Sequence, residues 1–104
     1  MEQRKSNFFE QVYEEVKKIP EGMVMTYGQI ASKLGTKDAR RVGHALHANC
    51  DRNTPCHRVV NKEGRLAPSY AFGGYHEQRN RLVAEGVKFL DELHVDLTKC
   101  GCRD

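Results

Sequence analysis

Three reactive side chains follow one another in the middle of this chain. Cys56, His57 and Arg58 place a thiol, an imidazole and a guanidinium on successive residues behind Pro55. A thiol becomes a useful nucleophile only as the thiolate, and His57 and Arg58 are candidates for the base or cation that it needs. On an extended segment His57 would reach Cys56 only through a water molecule or after a turn. The pattern predicts a nucleophilic cysteine, and its alternative is a buried thiol beside a surface imidazole.

Length and composition limit the class of protein. The chain of 104 residues is long enough for one small hydrophobic core and too short for two, so we expect a single domain over 1–104. Its 30% charged and 38% hydrophobic residues are typical of a folded domain rather than of disorder. It has no apolar run long enough for a membrane and no signal peptide. We therefore expect no membrane partner and a cytoplasmic location, nucleoid-associated in a prokaryote or nuclear in a eukaryote.

Basic residues are concentrated in one stretch. The whole chain has 17 basic and 14 acidic residues, a mild excess of +3. Residues 37–58 have a net charge equal to that whole excess, with basic Lys37, Arg40, Arg41, Arg52 and Arg58 against acidic Asp38 and Asp51. This segment predicts an electrostatic surface for nucleic acid, and a solvated helix face is the alternative.

The four cysteines do not resemble a disulfide framework or a metal site. Their spacing is irregular and secretory context is absent, so we expect reduced thiols. Cys100 and Cys102 lie near His94, but their spacing differs from the usual Cys-x-x-Cys of zinc sites. We expect a structural tail and no metal or other cofactor.

Capping residues and helical periodicity predict where the first helices begin and end. A first helix begins after Asn7, which forms a capping box with Glu10, and it ends at Pro20. A second helix begins at Thr26, which forms a capping box with Gln29 three residues later. This helix stops at Gly35.

A third helix follows after a tight turn and completes a helix-turn-helix pattern. Apolar residues recur at helical spacing from the cap at 36–38 to Asn49. Gly43 lies inside this helix, where glycine costs up to about 1 kcal/mol relative to alanine, so some neighbour should approach its backbone closely. Close packing against DNA and close contact with another helix both satisfy this requirement.

The second half of the chain predicts a small β element and one more helix. Residues 59–66 predict a hairpin with its turn at 61–64, which would form a wing. An irregular loop at 68–74 precedes a helix from about 75 to 85, and beyond it, from about residue 88, the pattern is ambiguous. The predicted fold is mainly α with a small β wing, a winged helix-turn-helix DNA-binding domain.

Several motifs together resemble one protein family. The segment Pro-Cys-His-Arg-Val-Val at 55–60 is similar to the active-site motif of the O6-alkylguanine-DNA alkyltransferases, also called methylated-DNA–protein-cysteine methyltransferases. Further matching motifs lie, in the right order, at 26–31, 40–43, 73–74 and 82–86. The resemblance covers roughly residues 8–87.

The resemblance implies a reaction on an extruded base in double-stranded DNA. Cys56 would be the alkyl acceptor, whose thiolate attacks the carbon on O6 of a flipped guanine and is consumed in one turnover. His57 would deprotonate Cys56 through a water molecule, and Glu85 would hold the imidazole. Tyr27 would assist base rotation and donate its hydroxyl proton to the leaving guanine. Without the resemblance, Glu85 is typical of a solvated residue in the last turn of a helix.

The same resemblance implies how DNA is held. The third helix would enter the minor groove, where Gly43 permits close approach and Arg40 replaces the extruded base in the stack. Asn49 would brace the active-site turn, and the carbonyl of Val59 would contact the exocyclic amine of guanine.

The remaining positions that match the family's motif concern the support of the pocket. Arg58 would be a structural ion-pair partner beside Pro55, and Tyr70 would stack on the base or close the core. The loop at 70–74 departs from the family by an extra residue and a missing serine, which leaves the accepted alkyl group open. Because the chain begins just before the first helix, we expect a stand-alone catalytic domain that acts as a monomer.

Two other interpretations remain. The short chain and residues 78–87 are also similar to the alkyltransferase-like proteins, which bind alkylated DNA without repairing it, recruit excision-repair proteins and commonly have tryptophan at the acceptor position. This chain contains no tryptophan and keeps Cys56, which favours transfer. A winged-helix regulator with a structural Cys56 would instead prefer undamaged DNA and bind paired half-sites as a dimer.

Overall fold

The computed structural model describes residues 7–68, 70 and 72–102. Its elements are α1 (Phe8–Val16), β1 (Met25–Thr26), α2 (Tyr27–Lys33), α3 (Ala39–His47), a 3-10 turn (Cys56–Arg58), β2 (Val59–Val60), α4 (Gly74–Ala84) and α5 (Leu97–Cys100). The prediction of a mainly helical chain with a small β element is confirmed. In the described ranges no helix is long and apolar enough to cross a membrane. Ser69 and Ala71, which belong to the predicted loop at 68–74, lie outside the described residues.

The first three helices begin at the residues that the sequence predicts as caps. The side chain of Asn7 accepts a hydrogen bond from the backbone N–H three residues later at 2.8 Å, and Asp38 does the same at 3.1 Å. Thr26 and Gln29 form a complete capping box, with bonds of 3.1 and 2.8 Å in the two directions. These bonds satisfy donors that have no partner in the first turn of a helix, so the helix starts are fixed locally.

Two hydrophobic clusters meet at the Cys56 turn. The larger lies among α1, α2 and α3 and includes Val12, Val16, Ile30, Ala31, Val42, Ala45 and Leu46. The smaller lies under α4 and the C-terminal segment and includes Val24, Val60, Leu66, Leu82, Val87, Val95 and Cys100. Cys56 and Val59 belong to the first cluster and Val60 to the second, so the reactive segment is fixed where the two cores join.

The predicted hairpin at 59–66 forms its turn but not a pair of adjacent strands. The carbonyl of Asn61 accepts the N–H of Gly64 at 2.9 Å, as a tight turn requires. Val59–Val60, however, pairs in parallel with Met25–Thr26 from far earlier in the chain. The small sheet therefore joins two distant segments, and the winged form of the fold is not confirmed.

The C-terminal segment takes the place of the missing hairpin arm. Arg65, after the turn, forms an antiparallel bridge with His94, and Phe89 forms another with Val95. The N–H of Leu66 donates to the segment as well, to the carbonyl of Leu93 at 2.9 Å. The tail, which has no clear pattern in the sequence, is thus part of the fold.

Backbone bonds also tie the C-terminal segment to β1 and α2. The N–H of Val24 donates to the carbonyl of Cys100 at 2.8 Å, and the carbonyl of Val24 accepts from Cys102 at 2.7 Å. Gln29, which already caps α2, donates from Nε2 to the carbonyl of Cys102 at 2.8 Å. The start of α2 is therefore held by residues from the far end of the described chain.

Candidate functional site

The Cys56 side chain lies in the interior and is braced by Asn49. Cys56 opens the 3-10 turn and is 5% exposed, so the turn that the sequence allowed as an alternative to an extended segment is the one that forms. Asn49, just after α3, donates from Nδ2 to Cys56 Sγ at 3.1 Å and to the carbonyl of Asp51 at 2.9 Å. Its Oδ1 accepts the N–H of Asp51 at 3.0 Å. Asn49 therefore fixes the loop before the turn and supplies a donor to the sulfur.

The thiol of Cys56 is protonated in the free protein. Burial raises the pKa of Cys56 to about 11, and the hydrogen bond from Asn49, which lowers the pKa, only partly offsets the burial. At pH 7 about one thiol in ten thousand is then ionised. A thiolate has to form through transfer of the proton to a base at the time of reaction.

His57, Glu85 and Arg58 form one hydrogen-bonded unit that begins at the residue after Cys56. His57 Nε2 lies 2.8 Å from Glu85 Oε2. Arg58 donates to both carboxylate oxygens, at 3.0 and 2.8 Å, and to the carbonyl of Ile19 at 2.8 Å. These bonds fix Glu85 in the site, whereas its position in the last turn of a helix is otherwise typical of a solvated residue.

The protonation states in this unit suit a base. An ionised carboxylate only accepts hydrogen bonds, so Nε2 of His57 carries the proton and Nδ1 keeps its lone pair. Burial lowers the pKa of His57 even though Glu85 opposes the shift, so the ring is neutral at pH 7. Burial would raise the pKa of Glu85, but hydrogen bonds from Arg58 and His57 together hold it below its usual value. Nδ1 is buried and has no hydrogen-bond partner among the residues described.

A small recess lies beside Cys56. Its volume is about 50 Å³, and it is lined by Tyr27, Gly43, Leu46, His47, Cys56, Val59, Ala67, Tyr70 and Gln78. This space holds a water molecule or two and is far smaller than a nucleobase. A base can enter only if the walls move apart.

The recess adjoins a much larger groove along α3. The groove has a volume of about 1030 Å³ and shares Tyr27, Gly43, His47 and Ala67 with the recess. Its other lining residues come from α3 and from the segment after β2, namely Ala39, Arg40, His44, Ala48, Asn61, Arg65, Leu66 and Pro68. An extended ligand in the groove would therefore pass directly over the entrance to Cys56.

The structure distinguishes the two adjacent arginines of α3 and explains its glycine. Arg40 is exposed and lines the groove, whereas the guanidinium of Arg41 lies 4.2 Å from the ring centre of Phe8 on α1. A Cβ placed on Gly43 would meet no atom within 4 Å. Close contact with another helix is thus not the reason for this glycine, whose lack of a side chain keeps the groove wall flat.

Two tyrosines, Tyr27 and Tyr70, line the recess. Tyr27 begins α2, and burial, with Cys56 acting in the same direction, raises its pKa, so its hydroxyl keeps its proton at neutral pH. Tyr70 is buried and accepts a hydrogen bond from Arg81 Nη1 at 3.1 Å. Its ring meets Phe72 edge to face at 5.9 Å. Tyr27 is therefore a possible proton donor, and Tyr70 is part of a packed wall.

Gln78 is a site residue that the sequence did not single out. It is fully buried on α4, and Nε2 donates to the carbonyls of His57 at 3.2 Å and Val59 at 3.1 Å. Its Oε1 accepts the N–H of Ala67 at 2.8 Å. The available signal was a polar residue four positions before Leu82, on the buried stripe of the helix. The sequence predicts that the Val59 carbonyl contacts a base, and in the free protein this carbonyl already accepts a hydrogen bond from Gln78.

The structure assigns backbone roles to the C-terminal cysteines. The described residues contain no cluster of three or more His, Cys, Asp or Glu side chains that could hold a metal ion. Cys100 is buried, and its sulfur accepts the N–H of Lys88 at 3.2 Å.

Comparison with known sequences gives a consistent set of relatives. The family model described as 6-O-methylguanine DNA methyltransferase, DNA binding domain, matches residues 7–87. Alkyltransferase-like protein 1 of Schizosaccharomyces pombe is 39% identical over 87 residues, which cover 82% of this chain and 81% of that protein. The DNA base-flipping protein of Escherichia coli is 36% identical over 99 residues, which cover 93% and 75% of the two chains.

Two further matches connect the chain to a transferase and to a DNA complex. A methylated-DNA–protein-cysteine methyltransferase of Saccharolobus islandicus is 46% identical over 82 residues, 74% of this chain but only about half (49%) of that protein. The crystal structure of S. pombe Atl1 in complex with damaged DNA containing O6-carboxymethylguanine superposes with a TM-score of 0.80 and 33% identity. That match covers 98% of this chain and 100% of the other.

Proposed function

The chain belongs to the family of O6-methylguanine-DNA methyltransferases and alkyltransferase-like proteins, and from this premise we propose that it binds double-stranded DNA containing O6-alkylguanine and transfers the alkyl group to Cys56. One observation carries the proposal. Cys56 lines a recess beside the α3 groove, and the next residue of the same turn, His57, is a neutral imidazole held by the ionised carboxylate of Glu85. A thiol, a base and a group that orients the base are the parts of a nucleophilic site.

In the first step, DNA binds in the groove along α3. Arg40 is exposed on the groove wall and takes the place of the extruded base in the stack, while Gly43 allows the minor groove to approach the helix. The groove is lined on one side by α3 and on the other by the segment after β2. Protein and DNA together supply the free energy of a few kcal/mol that removal of a base from the stack requires.

In the second step, the lesion enters the recess. Tyr27 and Tyr70 move apart to admit the base, because the recess of about 50 Å³ is too small for it in the free protein. The carbonyl of Val59 accepts a hydrogen bond from the exocyclic amine. O6 and this amine flank N1 on the same edge of guanine, so a base held at Val59 presents its O6 substituent towards Cys56.

In the third step, the alkyl group moves from O6 to sulfur. The proton of Cys56 passes through a water molecule to Nδ1 of His57, and the sulfur attacks the alkyl carbon from the side opposite O6. The S–C bond forms as the C–O6 bond breaks, and the electron pair of the broken bond goes to the purine. The hydroxyl of Tyr27 donates a proton to the purine, and the proton taken from the thiol then passes from the imidazolium stabilised by Glu85, through water, to the tyrosinate that Tyr27 has become. The products are guanine and a thioether.

A lesion sensor that binds without transfer is the second candidate function. The pKa of about 11 for Cys56 favours this alternative, because a buried neutral thiol is a poor nucleophile. The match to alkyltransferase-like protein 1 favours it too, because that match covers about four fifths of both chains. In this role the complex with damaged DNA would recruit excision-repair proteins.

Intact-mass measurement separates these functions. We propose to incubate the protein with a duplex that carries one O6-methylguanine, with Cys56→Ala and Cys50→Ala in parallel. Gain of one methyl group by the wild type and Cys50→Ala, but not by Cys56→Ala, supports transfer to Cys56. Tight and lesion-selective binding without a mass change supports the sensor. Equal affinity for damaged and undamaged duplexes contradicts both and favours the regulator.

A further inference from the structure

Gln78 is the most deeply buried polar side chain of the described residues. It is 0% exposed, compared with 3% for Thr54, 6% for Asn49 and 8% for His57. A buried amide is tolerated only when its hydrogen bonds are satisfied. Gln78 meets this condition with three backbone partners and without contact to another polar side chain in the described hydrogen bonds.

The three bonds of Gln78 join the parts of the chain that form the recess. The two N–H groups of its amide hold the carbonyls on either side of Arg58, those of His57 and Val59. Its oxygen holds the N–H of Ala67, on the segment that returns after the turn. Gln78, Val59, Ala67 and Cys56 all line the same recess. One side chain therefore joins the thiol turn to the segment at Ala67, and both line the recess.

We propose that Gln78 is a positioning residue that orients the Val59 carbonyl towards the 2-amino group of the extruded base. This inference rests on the function proposed above. A carbonyl oxygen has two lone pairs, so Val59 can accept from Gln78 and from the base together. A buried hydrogen bond from Gln78 also fixes the peptide plane, which otherwise rotates to find another donor. The expected consequence is selectivity for lesions that have a 2-amino group.

The test compares two lesions that differ only in this amine. Duplexes with O6-methylguanine or with O6-methylhypoxanthine, which lacks the 2-amino group, are titrated with protein in the Cys56→Ala background, so that transfer does not consume the lesion. We expect about tenfold tighter binding of O6-methylguanine, the effect of one well-placed hydrogen bond in a buried site. In Gln78→Met, which keeps the shape of the side chain and removes its donors, this ratio falls to about one.

Two further variants separate positioning from folding. Asn80→Met alters the exposed side of α4 and keeps the tenfold ratio. Gln78→Lys keeps N–H donors for the two carbonyls and also keeps the ratio, so it provides a second measurement if Gln78→Met does not fold. Thermal melting of every variant accompanies the titrations.

The outcomes distinguish failure of this inference from failure of the proposed function. If Gln78→Met weakens binding of both lesions equally and keeps the ratio, or if Gln78→Lys loses the ratio, Gln78 has only a structural role. A ratio of one already in the parent protein, with selective binding of both lesions over undamaged DNA, also overturns the inference and leaves the proposed function intact. Absence of any preference for O6-methylguanine over undamaged DNA overturns the proposed function itself.

Discussion

The Cys56 turn and the groove face of α3 satisfy their polar groups in opposite ways. Around the turn, Asn49, Gln78 and Glu85 each make two or more hydrogen bonds to neighbouring segments, and their side chains are largely buried. On the groove face, Arg40 is exposed, and the space beside Gly43 is open to 4 Å. The turn is thus assembled in the free protein, whereas the groove face meets water until a ligand arrives.

This difference predicts that substitutions can separate DNA binding from stability and thiol chemistry. A buried polar group without its partner costs about 1–3 kcal/mol, so changes in the turn should affect stability and thiol chemistry. An exposed side chain loses little in the free protein, so changes on the groove face should affect DNA affinity and leave folding intact. The following experiments test this separation.

The largest effect should be seen in the reactivity of the cysteines. At pH 7.5 we expect iodoacetamide to modify buried Cys56 about a hundredfold more slowly than exposed Cys50, because burial raises the pKa of Cys56 to about 11. The Cys56 rate should rise about tenfold per pH unit between pH 7 and 10, as the thiolate fraction does. Peptide mass mapping measures both rates. Equal rates at pH 7.5 would show that the thiolate already exists in the free protein.

The next effect should be a loss of stability in Glu85→Gln. The variant removes the charge that Arg58 and His57 share in a site where these side chains are 10–16% exposed, so the free energy of unfolding should fall by about 2 kcal/mol. Denaturant unfolding at pH 7 measures the change. A change below about 0.5 kcal/mol would mean that the unit contributes to stability no more than a surface ion pair.

The loss of stability in Glu85→Gln should depend on pH, because Glu85 and His57 both titrate. The folded-state pKa of Glu85 is below its unfolded value, so its contribution is complete above the unfolded pKa and is lost as the pH falls through the folded value. The gap between wild type and Glu85→Gln should therefore narrow in acid. His57 also has a lowered pKa, so the wild type should begin to lose stability below about pH 6.5.

A smaller effect should separate Arg40 from Arg41. Arg40→Ala should weaken binding to a lesion duplex about tenfold and leave the melting temperature unchanged, because Arg40 is exposed and lines the groove. Arg41→Ala should lower stability by about 0.5–1 kcal/mol through loss of the contact with Phe8 and weaken binding less. Fluorescence anisotropy and thermal melting measure both properties. The reverse order of affinities would reject the assignment of Arg40 to the groove.

The smallest effect is expected for Gly43→Ala, which should stabilise the fold and weaken lesion binding. Gly43→Ala should raise the free energy of unfolding by up to about 1 kcal/mol, because its Cβ meets no atom within 4 Å and alanine favours a helix. The same methyl group projects into the groove and should weaken lesion binding. Unchanged affinity would show that DNA does not approach the helix at this position.

The sequence predicted what depends on neighbours a few residues apart. Capping residues Asn7, Thr26 and Asp38 place the first three helices, because each cap bonds to a backbone group three residues away. The pairing of β2 escaped prediction because its partner, β1, lies far away in the chain, and a local turn beside two valines favours a hairpin. The C-terminal segment escaped for the same reason.

For the candidate site, reactive residues were easier to predict than the residues that hold them. Cys56 and His57 stand out by type and adjacency, and Glu85 entered only through the family resemblance. Gln78 has no reactive group. Its importance arises from its burial and from its hydrogen bonds to backbone carbonyls, and a sequence motif does not show such bonds. A polar residue on the buried stripe of a helix was the only signal.

The bonds between Val24 and the C-terminal segment affect the order in which the protein folds during its synthesis. Helices α1–α3 are capped by residues close in sequence and can form early, but the second cluster of the core must wait for Val95 and Cys100. At about 5–20 residues per second, a ribosome needs a few seconds to add the residues between Cys56 and that segment. During this interval the second cluster is incomplete, so the half of the core that contains Val60 and Leu82 closes only after the C-terminal segment has been made.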